Sequence, residues 1–319
     1  MSKPRPSTDK TLPYNASADE VDLKELMAVL WSGKWLISAV TGVSAVISVV
    51  VALSLPNIYT ATALLAPVES SGGGLSGLMK QYSGLASLAG VSIPGGEEGS
   101  RAQLGIQLMN SRSFIGDFVE RRDILPKLMA VESWTPGTDE LSFDRTLYDV
   151  ATETWVRDVQ PPTSPKPSIQ EAYKVFLGIL SVSQDKLTGY VTVSIDHQSP
   201  TVAAQWVDWM VEDINAVVKA QDVDEAIKSI EYLTQQVANT SLTELQAVFF
   251  ELIQSQTETV MLAEVRPEYV FKTIDPAVAP ETKSKPSRAL ICILGTFLGG
   301  LLSFVMVLIR FYARSETSK

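Results

Sequence analysis

The 319-residue chain has one cysteine and one histidine. A single cysteine, Cys292, excludes a disulfide within the chain and any cysteine-based metal site. His197 alone could act in catalysis only with a nucleophile or carboxylate placed beside it, and the sequence points to none. It ends a strand pattern and precedes "QSP", so it is expected at the surface, at a strand end. Nucleotide loops are missing too. No G-x-G-x-x-G lies between a strand and a helix, and "GGGLSG" lacks the Lys-Ser/Thr of a phosphate-binding loop. Glu97 and Glu98 are adjacent in a glycine-rich loop, a poor geometry for the paired carboxylates of a glycosidase. No catalytic, cofactor-binding or metal-binding residue is therefore assigned, and no enzyme activity is expected.

Charge is lacking in two places. Residues 36–55 and 289–309 contain no charged side chain except at their flanks. About 20 helical residues cross a hydrocarbon core about 30 Å thick, so both runs are long enough to span. A soluble core helix would carry a polar stripe, and neither run does. The first run starts behind a polar segment and is too long for a signal-peptide core, so it reads as an uncleaved anchor. The expected layout is a cytoplasmic tail over 1–34, spans over 35–55 and 289–309, and a second cytoplasmic tail over 310–319. Arg310, Arg314 and Lys34 favour ends-inside. Lys283, Lys285 and Arg288 argue the other way, but they flank a long loop where the rule is weak. Residues 56–288 then form one external domain. Between residues 34 and 310 lie 18 basic and 30 acidic residues, an acidic excess that would not attract nucleic acid or another anionic polymer by net charge.

The remaining patterns give the expected order of elements. "SADE" (Ser17 to Glu20) has capping-box spacing and opens a helix to about Gly33. Leu23, Leu26, Met27, Leu30 and Trp31 share one face of it. This helix lies on the inner membrane surface with Trp31 and Trp35 at the headgroups, or packs on a partner's cytoplasmic helix. "NIYTATALLAP" reads as a strand. Residues 70–100 are rich in Gly and Ser but also carry Leu75, Leu78, Met79, Leu85 and Leu88, which a plain linker would not need. Helices are expected around 101–130 and 144–158, and a proline turn at "QPPTSPKPS". "ILSVSQDKLTGYVTVSIDH" reads as a hairpin turning near Asp185 to Gly189, with Val191, Val193 and Ile195 inward.

Pro200 opens a long helix reaching toward Asn239. Ala216, Ala220, Val223, Ile227, Ile230, Thr234 and Val237 repeat at alternating steps of four and three, a coiled-coil period. So narrow a seam suggests an arm that pairs with another helix or subunit. A second helix follows, capped by Thr240 or Ser241, with Leu242, Leu245, Phe249 and Leu252 on one face. "EYVFKTID" is the last strand. Setting the first and last strands side by side gives an α+β membrane protein. Two transmembrane helices flank an α/β base (56–200 and 263–275) with an extended helical arm (201–262). Pro276, Pro280 and Pro286 stiffen the connector over 276–288 and would fix the angle between external domain and span. Gly295 and Gly299 form a G-x-x-x-G that permits close helix contact in the membrane.

These segments resemble a known family. "DEVDLKELMAVLWSGKWLI" and "IYTATALLAP" are similar to the N-terminal signature of Wzz-type polysaccharide co-polymerases, the O-antigen chain-length determinants. "TETVMLAEVRPEYVFKTIDPAVAPETKSKPSR" resembles the family's proline-rich entry to the second span. The resemblance implies an inner-membrane protein that is not itself an enzyme, needs no cofactor, and assembles into bell-shaped homo-oligomers. Its implied partners are a Wzy-type polymerase, the nascent undecaprenyl-linked polysaccharide and membrane lipid. A relative with the same layout fused to a tyrosine kinase serves capsule or exopolysaccharide export, and a split version with a separate kinase is the alternative. A chemoreceptor would need a cytoplasmic signalling domain beyond Arg310. Arg121, Arg122 and Lys127 are local basic positions that a polymer could contact, or a solvated helix face.

Overall fold

A computed structural model describes residue 31 and residues 33–68 and 97–317. The expected amphipathic helix before Gly33, apart from Trp31, and the segment 70–96 lie outside the described residues. The chain divides into two units, one of residues 1–55 with 286–319, the other Pro56–Lys285.

The first unit is built from α1 (Lys34–Ser54) and α8 (Arg288–Thr317). Both carry an uncharged stretch long and apolar enough to cross a membrane. Large apolar side chains such as Val46, Val50, Leu53, Ile293, Phe297 and Leu302 face outward. The side chains between the helices are small, as the absence of a hydrophobic drive between helices in lipid favours.

The central unit is a four-stranded antiparallel sheet in the order β6–β7–β1–β8. Its strands are β1 (Tyr59–Pro67), β6 (Leu180–Gln184), β7 (Val191–His197) and β8 (Phe271–Asp275). The first and last strands are neighbours, with Pro67 opposite Phe271. Alternation decides which face is covered. Ala61, Ala63 and Leu65 of β1 and Val191, Val193 and Ile195 of β7 are buried. The opposite face keeps hydroxyls, as in the Thr62–Ser194 contact of 3.0 Å. One face is thus packed and one polar, as antiparallel sheets allow. The β6–β7 turn forms where expected. Asp185 Oδ1 accepts from the N–H groups of Leu187 and Thr188, and Gly189 takes φ +73°.

Helices α2 (Glu97–Met109), α3 (Arg112–Arg121), α4 (Leu125–Met129) and α5 (Ile169–Ile179) complete the base. Ser168 caps α5 in a capping box with Glu171. Between α4 and α5 come two small hairpins, β2 (Val131–Thr135) with β3 (Glu140–Phe143) and β4 (Tyr148–Asp149) with β5 (Thr154–Trp155).

Two expectations fail here. Residues 144–158 are turns and two-residue strands, not a helix. Asp144 Oδ1 accepts from Thr146 N–H, and Asp149 binds Ala151 N–H and the Thr152 hydroxyl. Such side-chain bonds compete with helical ones, and Glu153 at φ +52° breaks the path. Glu97 and Glu98 are not in a loop but begin α2.

Helix α6 (Pro200–Asn239) has two halves. Through Val218 it is core: Val202, Ala203, Trp206, Val207, Met210 and Ile214 are buried against the sheet and helices. Beyond Val218, Ala226 is the one buried residue of this helix. The arm therefore begins near residue 219, not at 201, and its α6 part runs 21 residues, about 30 Å at 1.5 Å per residue. Helix α7 (Thr243–Val265) packs back along it. Its N-cap is Leu242, with no side-chain cap, so neither Thr240 nor Ser241 plays that part. Gln246 closes the turn instead, donating to the carbonyl of Thr240 at 2.7 Å.

Candidate functional site

The features that could carry function are the span contact, the strapped connector, the arm and a groove at the start of α6. The span contact is antiparallel and lined by small residues. A Cβ at Gly295 would meet Ser48 Cβ at 2.5 Å, one at Gly299 would collide with Ser44, and one at Gly33 would meet Val307 at 2.8 Å. Thr41 and Ser303 approach at 3.5 Å. The hydroxyls of Ser48, Thr296 and Ser303 donate to carbonyls of their own helices, so they cost little in a lipid setting. Gly295 and Gly299 thus meet the chain's own first span. Cys292, in α8, is half-buried and free.

The connector is fastened to the sheet. Ile58 and Lys285 exchange backbone hydrogen bonds, and Ser284 N–H donates to the Ile58 carbonyl. Lys285 Nζ reaches Asp196 at 2.6 Å, and Lys283 Nζ reaches Asn57. Ala277 and Ala279 pack on the core while Pro276 is exposed and Pro280 half-buried. Pro286 follows the last strapped residue. The stretch after β8 is therefore held by pairing.

The seven expected seam residues are not equally covered within one chain. Val223, Ile230 and Val237 are half-buried, but Ala216, Ala220, Ile227 and Thr234 are exposed. The partners of the first group toward α7 are Ala226, buried, and Leu233, half-buried. On α7 the covered positions form two adjacent columns spaced three and four, Gln246, Phe249, Ile253, Gln256, Val260 and Ala263 beside Leu252, Ser255, Thr259 and Leu262. Leu242 and Leu245 are exposed. Sequence spacing found the seven-residue column but joined it to the neighbouring one, because 220–227–234 and 226–233 are displaced by a single residue.

The basic positions are also not a free face. Arg122 donates to Asp213 and Glu212 at 2.7 Å each, lies 5.0 Å from the Trp209 ring, and shares Asp213 with Arg121. Those carboxylates raise the guanidinium pKa of Arg122 above its ordinary value, Asp213 most. Lys127 lines a shallow groove of about 750 Å³ with Asp139, Leu141, Phe143, Thr201 and Gln205. Two buried polar residues hold separate segments together in ways the sequence did not reveal. Asn215 sits in the core and bonds β8. His197 is buried rather than at the surface, since it shares the inward parity of Val191, Val193 and Ile195. Among the described residues no cluster suited to a metal ion is found.

The comparisons with known proteins bear on these elements. Residues 19–121, which take in α1, β1, α2 and α3, match the family model "Wzz: Chain length determinant protein". Over that stretch the chain is similar to Wzz-type proteins. Residues 243–312, from α7 through β8 and the connector into α8, match a second model, "GNVR: G-rich domain on putative tyrosine kinase". No curated protein matches. Among solved structures, a "full-length bacterial polysaccharide co-polymerase" is 14% identical with TM-score 0.39, over 94% of this chain and all of that one. A fragment of WzzB from Salmonella Typhimurium is 12% identical with TM-score 0.29, over 72% of this chain and all of the fragment. At such scores neither overlay carries an argument; the likeness rests on the two family models, over 19–121 and 243–312.

Proposed function

We propose that this chain is a non-enzymatic regulator of polysaccharide chain length, working on lipopolysaccharide O-antigen with a Wzy-type polymerase. The observation that carries the reading is the Wzz match across the first span and β1. In this reading the chain sits in the inner membrane with both ends cytoplasmic and the central unit periplasmic. Copies assemble into a ring-like homo-oligomer that organises polymerase subunits or holds nascent undecaprenyl-linked polymer, so that extension stops within a preferred range. The exposed column Ala220–Ile227–Thr234 would be available to a neighbouring copy. The connector prolines and the strap at Ile58 would keep copies in a common orientation. Gly295 and Gly299 would set the span pair.

A second reading is favoured by the GNVR match over 243–312. The polymer would then be a capsule or exopolysaccharide, and the partner a separate tyrosine kinase. A lipopolysaccharide gel of the host with and without the gene separates the two. Collapse of a clustered long-chain band into an unregulated ladder, restored by the cloned gene, supports O-antigen control. An unchanged ladder with altered capsule and altered kinase tyrosine phosphorylation supports the second reading.

A further inference from the structure

His197 stands where three segments meet. It is 7% exposed, at the end of β7. Its Nε2 donates to the Lys127 carbonyl at the end of α4, 3.0 Å away. Its Nδ1 accepts the backbone N–H of Ser199, also at 3.0 Å. A backbone N–H can only donate, so the proton must be on Nε2 and the ring neutral. Ser199 is the N-cap of α6, its Oγ accepting from Val202 N–H. The same hydroxyl meets Thr201 Oγ1 at 2.8 Å, and Thr201 reaches both Asp139 oxygens at 2.9 Å. Asp139 in turn accepts from Trp134 Nε1 at 2.7 Å, and Gln198 bonds the Val131 carbonyl. The β2–β3 hairpin, one wall of the groove, is thus held to the start of α6 through residues 198–201.

We propose that His197 is an acid-operated latch: neutral, it ties the end of α4 and the first turn of α6 to the sheet; protonated at Nδ1, it releases the α6 cap and the β2–β3 hairpin with it. A proton on Nδ1 would face the Ser199 N–H, donor against donor, with the Lys127 carbonyl already taken. The surrounding charges give no relief. Lys127 opposes a positive ring. Asp139 is reached only through two hydroxyls. Asp196 points to the other face of the strand and is held by Thr60 and Lys285 at 2.6 Å each. Tyr59 lies opposite His197 on β1, edge-on to Trp134. Trp206 packs on the imidazole with centroids 4.9 Å apart. Burial holds the imidazole pKa below its ordinary value, so protonation and opening are coupled.

The sign follows from proton linkage. The open form binds one more proton than the closed form between about pH 6.5 and the lower closed-form value, so its population rises about tenfold per pH unit as pH falls. The test uses the full chain in detergent micelles, without a histidine tag. Its sole imidazole gives an unambiguous NMR titration. Hydrogen exchange from pH 7.5 to 5.0, corrected for intrinsic rates, reads residues 131–143 and 198–206. Both segments should exchange faster by about tenfold per pH unit through that window. H197Q can keep both hydrogen bonds without titrating and should flatten the response. An imidazole that titrates in the ordinary range with no acceleration overturns the proposal, as does an identical acid profile in H197Q. Should H197Q fail to fold, the two wild-type curves decide: titration without matching acceleration overturns it.

Discussion

Asn215 offers the sharpest test of what holds the arm's root to the sheet. It lies on the inner face of α6, 5% exposed, between Ile214 and Val218. Its Oδ1 accepts from Val270 N–H at 2.8 Å and Phe271 N–H at 2.9 Å, and its Nδ2 donates to the Phe271 carbonyl at 3.0 Å. It serves as a short substitute strand for the outer edge at the start of β8. In N215A these backbone groups stay buried without that partner. An unsatisfied buried group costs about 1–3 kcal/mol, and partial relaxation brings three to about 4 kcal/mol in total. That is a large part of the about 5–15 kcal/mol that a domain has. For a unit of this size it lowers Tm by about 8–16 °C. The assay is urea and thermal unfolding of the full chain in micelles, followed by far-UV circular dichroism, where spans remain helical. N239A removes the same side chain at the exposed end of α6 and should stay within about 0.5 kcal/mol of the parent. If N215A also stays within about 1 kcal/mol, the bonds to β8 are not holding the root, and the reasoning fails.

Other variants test the arm, the ion cluster and the spans. A226L should overpack the α6–α7 contact and cost about 1–3 kcal/mol, while A220L on the exposed column should leave monomer stability unchanged; urea midpoints compare them. R122A should destabilise by about 2–3 kcal/mol, because Asp213, with its side chain 4% exposed, keeps only the 3.4 Å contact to Arg121; R121A should cost under about 1 kcal/mol by the same assay. G299L should push α8 from α1, so that a T41C/S303C disulfide, formed in a C292S background, drops in yield and polymer length changes on the gel. Normal length at normal expression would count against a role for the G-x-x-x-G.

Local patterns made much of the fold legible. Uncharged runs marked both spans, alternation at 191–195 marked the hairpin, and Pro200 marked the start of the long helix. Placing the first and last strands together was also right, since β1 pairs with β8. What failed was set by partners distant in sequence. His197 looked peripheral because "QSP" follows it, although its parity already put it inside. Asn215 carried a signal as well, a lone amide between Ile214 and Val218 on an apolar face, but only β8 explains it. At 144–158 apolar spacing mimicked a helix while Asp144 and Asp149 supplied the turn bonds. On the arm a one-residue offset separates the covered column from the open one, and periodicity alone cannot choose between them.

That offset has an energetic consequence. Along α6 beyond Val218 the inward positions, Val223, Ala226, Ile230, Leu233 and Val237, are few and partly small, and only Ala226 is fully covered. Two helices packed by so thin a stripe gain little beyond their own backbone bonds, since each buried methylene contributes about 0.8 kcal/mol. Meanwhile Ile227, Tyr232, Val248, Phe250 and Met261 on the same hairpin remain open to water. Burying any of these would add stabilisation that the isolated hairpin lacks. The arm should therefore be the first part of the central unit to exchange its amide protons in a lone copy, and the part most protected by any partner that covers the open column. The base, closed by β1–β8 pairing, by Asn215 and by the Ile58–Lys285 strap, should be insensitive to the same partner. Hydrogen exchange at low and high protein concentration separates the two, and equal protection of 219–262 at both would show that the hairpin suffices unto itself.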